Sequence, residues 1–162
     1  MLVIRADLVD EIVAHARRDH PDEACGVIAG PEGAARPERF IPMLNAARSP
    51  TFYEFGPDMP LAYSEMDDRD EVPVVIYHSH TATEAYPSRT DISYASGPLS
   101  DPDVHYVIVS TREQAETNHT GHELRSFRIV DGVVTEEQVE VVETYMFAHT
   151  GADDVPDSDV PA

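Results

Sequence analysis

A chain of 162 residues is long enough to bury one hydrophobic core and short for two ordinary domains. Its 31 acidic residues against 11 basic ones give a formal charge of −20, which repels phosphate backbones and anionic bilayers, so neither nucleic acid nor a membrane is expected as a partner. The single cysteine, Cys25, cannot close an internal disulfide, the opening residues lack the pattern of a signal peptide, and no apolar run is long enough to span a bilayer, so a cytoplasmic location is expected.

Between Arg5 and Asp19 the apolar residues Leu8, Val9, Ile12, Val13 and Ala16 mark one face of a helix, with Asp7, Asp10 and Glu11 toward its positive end. His20-Pro21 closes it, because proline disfavours helical backbone at the residue before it. Residues 23–30 read as a short buried strand ending in a Gly/Pro turn, and residues 39–44 and 51–55 as two more strands joined by a polar connection. Residues 57–69 suit a helix with a proline near its start. Residues 72–80 give the strongest strand signal, nearly continuous in apolar character, and belong at the centre of a sheet. A short helix over 90–96, a second apolar strand over 105–110 and a hairpin about Asp131-Gly132 follow. Residues 148–162 combine Asp, Pro, Gly and Ala with little to bury. The expectation is one domain over 1–147 and a disordered acidic tail over 148–162, with an α/β (α+β) architecture of a mixed β-sheet flanked by helices.

The strong strand ends in His78-Ser79-His80. Side chains alternate along a strand, so both imidazoles project to one face, with roughly 6.5 to 7 Å between their Cα atoms, and can reach one ion. Asp91 follows after a loop and offers a carboxylate, completing a nitrogen and oxygen set of the kind zinc accepts. A catalytic zinc with three protein ligands keeps a fourth position for water, whose pKa it lowers to about 7. Hydrolysis then needs a proton carrier and a donor to the oxyanion, tasks that Glu23 and Ser88 respectively suit. A plainer reading also exists. Two strand-end histidines are commonly half-buried polar residues, and "PSRTD" is a good helix start with Ser88 or Thr90 as N-cap and Asp91 favoured by the helix dipole.

His78-x-His80, seven residues, Ser88, two residues and Asp91 resemble the JAMM signature of the MPN-plus metalloproteases with no gap, and "EACGVIAG" at Glu23 is similar to that family's upstream glutamate segment. The resemblance extends over residues 2–142. It implies the JAMM/MPN, deaminase-like fold, one Zn²⁺ per chain held by His78, His80 and Asp91, Glu23 as general acid/base, and Ser88 as stabiliser of the tetrahedral intermediate. Within the family the segments "AHARRDHPDEACGV", "NAARSPTFYEF" and "RIVDGVVTEE" look like the actinobacterial Mec-type peptidases. That likeness implies a small ubiquitin-like sulfur-carrier protein with a C-terminal Gly-Gly tail as partner, and release of a cysteine added to that tail. The alternatives are an isopeptidase acting on lysine conjugates of such a carrier and a non-catalytic MPN scaffold.

Other residues carry weaker signals. Cys25 sits mid-strand, where cysteine behaves as a small apolar residue with nothing to lower its pKa. His119 and His122 fall in a polar loop and are expected to face solvent, while His15 and His20 belong to the first helix and its end. Asn45, Ser49, Phe52, Tyr53 and Phe55 lie in a connection that the family places beside the groove, where an extended tail could add as a strand; ordinary packing accounts for the aromatics equally well. Arg48, Arg69 and Arg89 are the basic residues expected near that groove.

Overall fold

The computed structural model describes residues 1–97 and 100–145. The predicted acidic tail, 148–162, lies outside the described residues. The elements in chain order are β1 (Leu2–Arg5), α1 (Ala6–Asp19), β2 (Cys25–Pro31), β3 (Arg39–Met43), α2 (Met59–Asp68), β4 (Glu71–His80), α3 (Arg89–Ala95), β5 (His105–Ser110), β6 (Leu124–Val130), β7 (Val133–Glu137) and β8 (Val139–Val142). Six strands form one mixed sheet in the order β3-β2-β4-β5-β6-β7, in which only the β4–β5 pair is parallel. The apolar run of β4 therefore sits inside the sheet, as its composition requires.

Alternation along β4 sorts its side chains onto two faces. Val75 and Tyr77 face α1, packing with Leu8, Ile12 and Val13. Ile76 faces the other way, toward a cluster that includes Met66 of α2 and one that includes Ala95 of α3. His78 and His80 continue this second parity to the carboxyl end of the strand. Near its start, Pro73 pairs with Ala29 where the register between β2 and β4 shifts, and β5 does not pair with β4 until Val75. A proline in an interior strand is thereby accommodated.

Three elements differ from the sequence expectation. Residues 51–55 form no strand; only Phe55 bridges to Asn45. The Asn45 side chain organises that segment instead, with Nδ2 donating to the carbonyls of Glu23 and Phe52 and Oδ1 accepting from the amides of Ala47 and Glu54. The strand β1, absent from the periodicity reading, is four residues long and pairs in parallel with β8. The hairpin turns at Asp131 and Gly132, both with positive φ as a type I′ turn demands, yet its second arm splits into β7 on the main sheet and β8 on the small one.

Gly26 lies opposite Tyr77 on the α1 face. A Cβ there would come within 2.3 Å of the Tyr77 hydroxyl, which is fixed by the His15 Nδ1 at 2.7 Å and by Phe40 stacked on the ring. Gly26→Ala is expected to cost about 1–3 kcal/mol through overpacking, seen as a lower midpoint in urea unfolding with an unchanged slope.

Candidate active site

Two chain segments and one helix end meet at the carboxyl end of β4. Ser79, between the two histidines, donates its amide to the Ala24 carbonyl at 3.0 Å and accepts the Ala24 amide on Oγ at 2.8 Å. Because Cys25 pairs with His78 in the antiparallel register, this tie brings Glu23 alongside His80. From the other side, Ser88 caps α3: its Oγ accepts the Asp91 amide at 3.1 Å, and its own amide donates to Asp91 Oδ2 at 2.8 Å. That capping box aims the Asp91 carboxylate back at the strand.

Ligand atoms of Glu23, His78, His80 and Asp91, all four buried, lie within 4.8 Å of one another. The Nε2 atoms of His78 and His80 are 3.2 Å apart and stand 3.1 and 3.0 Å from Asp91 Oδ2. Donors about 2.0–2.1 Å from a tetrahedral ion are separated by about 3.3 Å, so this triangle has the size of one face of a zinc-like coordination shell. His80 Nδ1 donates to the Glu84 carbonyl at 2.7 Å, which leaves the lone pair of the neutral ring on Nε2. Glu23 Oε1 is buried and has no hydrogen-bond partner among the described residues, an orphan that a cation or its water would satisfy. The donor set fits a divalent metal.

The electrostatics follow from burial. Desolvation raises the Glu23 carboxyl to about 8, with Asp91 adding to the effect and His80 opposing it. Burial likewise disfavours the charged form of Asp91, but hydrogen bonds from His78, His80 and the Ser88 amide hold it well below the usual carboxylate range. Burial lowers His78, whose ring stacks on Tyr53 at 4.4 Å. For His80, burial is outweighed by Asp91 and the Glu84 carbonyl, which raise it.

Tyr53 also forms the near end of a groove of about 790 Å³, walled by Phe55, Met59, Tyr63 and Tyr94 and bordered by Arg89. Sequence reasoning placed Tyr53 in this neighbourhood without separating it from ordinary core, and it missed Tyr94, which meets Tyr53 edge to face at 5.4 Å. Arg89 makes no ion pair among the described residues, whereas Arg69, just past the end of α2, pairs with Glu65 of that helix. Outside the cluster, His15 bonds Tyr77 and Asp19, His105 pairs with Glu137, and His119 is exposed but donates to the Val139 carbonyl.

Fold and site together define a protein with a buried Glu/His/His/Asp cluster, compatible with a divalent metal, at the end of a mixed sheet. The chain belongs to the prokaryotic homologs of the JAB domain, whose family model matches residues 5–130. It is 66% identical over 146 residues to the CysO-cysteine peptidase of Mycobacterium tuberculosis, a match covering 90% of this chain and 94% of that protein. A solution structure of a Desulfitobacterium hafniense protein superposes with a TM-score of 0.71 at 30% identity, covering 89% of this chain and 94% of the other. A crystal structure of a JAB1/MPN domain protein from Archaeoglobus fulgidus shares the fold, with a TM-score of 0.53 at 18% identity, covering 88% of this chain and all 100% of that one.

Cys25 is buried at the base of the site, and desolvation pushes its thiol up to about 12. It is expected to resist iodoacetamide in the native protein at pH 8 and to react stoichiometrically once unfolded, as followed by mass spectrometry.

Proposed function

We propose that this chain is a zinc peptidase that hydrolyses the amide between the C-terminal glycine of a small ubiquitin-like sulfur-carrier protein and an added cysteine, releasing cysteine. The observation that carries this reading is the convergence of Glu23, His78, His80 and Asp91 in a chain 66% identical to a CysO-cysteine peptidase over nearly the whole of that protein. His78, His80 and Asp91 would hold the metal. A zinc bound there supplies Lewis-acid polarisation of the scissile carbonyl and a water of lowered pKa.

The remaining work falls to the chain's own side chains. Glu23, an uncommitted carboxyl oxygen in a desolvated position, would accept the proton of the attacking water and return it to the leaving amine. Ser88 Oγ accepts the Asp91 amide, so its own hydrogen is free to donate to the developing oxyanion. Tyr53 over His78 would keep bulk water from one side of the ligand set. The groove beyond Tyr53 would take the carrier's extended tail.

A small leaving group suits the surroundings. From the end of α3 the chain returns to β5 within residues 96–104, leaving little material beside the site to grip a second folded protein. None of the described helices is long and apolar enough to cross a membrane. The cytoplasm remains the proposed location, on the strength of a lone, buried thiol.

The test is turnover of a carrier ending in Gly-Gly-Cys, with released cysteine and bound zinc both quantified. Glu23→Gln should retain zinc and lose turnover by about 10²–10⁴-fold, the range for removing a general acid/base; retained turnover would remove Glu23 from its role. Zinc without cysteine release from the parent would sink the substrate assignment. Arg89→Glu, which reverses a cation without an ion pair among the described residues, is expected to raise KM for the carrier several-fold at low salt with zinc content unchanged. An unchanged KM would exclude Arg89 from docking.

A further inference from the structure

The turn after β4 decides which nitrogen of His80 faces the cluster. The Glu84 carbonyl accepts from His80 Nδ1 at 2.7 Å, and Thr83 Oγ1 lies 3.2 Å from the same nitrogen. Residues 81–88 belong to no helix or strand, so no backbone ladder fixes the direction of that carbonyl. The Glu84 carbonyl also accepts the Tyr86 amide at 2.8 Å, and side chains from the ends of the neighbouring strands hold the residues on either side of it. Glu123, only 3% exposed, accepts the Ala85 amide on Oε2 at 2.6 Å. Its Oε1 accepts the Glu116 amide at 2.7 Å and Arg112 Nε at 2.8 Å. Ser110 Oγ donates to the Thr83 carbonyl at 2.6 Å. The residues on both sides of Glu84 are thus tied down, and Ala85 is sealed into the apolar cluster that contains Ile108 and Phe127.

We infer that Glu123 is a positioning residue of the metal site, holding the turn whose Glu84 carbonyl orients His80 with its Nε2 toward the cluster. Glu123 is absent from the cluster and acts at one remove, through Ala85 and Glu84. This rests on the reading of His80 as a metal ligand. The position calls for a carboxylate in particular, because both oxygens accept hydrogen bonds; a glutamine has one acceptor and would turn an NH₂ group onto an N–H donor. Burial works against the charge on Glu123, but the two amides and Arg112 hold it below its ordinary value, which keeps both oxygens as acceptors.

A merely structural role would make Glu123 equivalent to Glu137. That residue is half-buried, its side chain only 7% exposed, and charge-paired, but it interacts with His105 at the start of β5 and with Arg128 Nε at 2.9 Å, at the end of the strand away from His80. It is the natural control.

The experiment measures Zn²⁺ affinity by competition with a chromogenic chelator for the parent, Glu123→Gln, Ser110→Ala and Glu137→Gln, each checked for folding by circular dichroism. The His80 ring is followed by ¹⁵N NMR in the metal-free proteins. Glu123→Gln should weaken Zn²⁺ binding about 10–100-fold, Ser110→Ala several-fold and Glu137→Gln less than about two-fold, even where the last lowers Tm. The Nδ1–H tautomer of His80 should lose population in the first two variants only. If Glu123→Gln does not fold, Ser110→Ala carries the test by the same two readouts. Parent-like affinity in a folded Glu123→Gln, or an equal loss in Glu137→Gln, overturns the inference. A parent that takes up no Zn²⁺ overturns the metal reading itself and this inference with it.

Discussion

Asp91 Oδ2 is the atom on which the site is assembled. It accepts the Ser88 amide and stands within 3.1 Å of both imidazole Nε2 atoms, so one oxygen joins the start of α3 to the end of β4. The cap accounts for about 1 kcal/mol. Leaving a buried carboxylate without its partners costs about 3–5 kcal/mol, so the second term decides. The position of α3 against the sheet is set by the need to satisfy Asp91, and helix capping follows from that placement.

Glu23 depends on a different constraint, the register of β2 against β4. A slip of one residue would carry Glu23 to the α1 face and abolish the constellation while leaving every composition argument intact. Two locks oppose the slip. On the site face, Ser79 is bonded through both its amide and its hydroxyl to Ala24. On the α1 face, Tyr77 occupies the space left by Gly26 and is held there by His15. The residues between and opposite the cluster thus do as much for its geometry as its own members.

Much of this was legible in the sequence because it is periodic or local. The 3.6-residue stripe of α1, the apolar run of β4 and the Asp131-Gly132 turn all follow from short-range patterns, and the His78, His80, Ser88 and Asp91 spacing encodes the strand-to-helix geometry directly. The failures are non-local. Residues 51–55 alternate well enough for a strand, yet Tyr53 and Phe55 pack on each other and on Tyr94, and Asn45 takes up backbone groups that a ladder would have used. The strand β1 exists only through its pairing with β8, from the opposite end of the domain. Glu123 carries no local signal for its role; only the fold brings Ala85 and Arg112 to it.

The same non-local supports explain why the cluster does not relax by rotating apart. Three of the four side chains are held from behind by a group outside the set: His78 by the Tyr53 ring, His80 by the Glu84 carbonyl, Asp91 by the Ser88 amide. Burial raises Glu23 to about 8 while Asp91 is held low, so Asp91 is the ionised partner of the two imidazoles and Glu23 is the carboxyl that can exchange a proton near neutral pH. Turning any of these side chains away would leave its buried partner unsatisfied in the low-dielectric interior, so the arrangement stays in place.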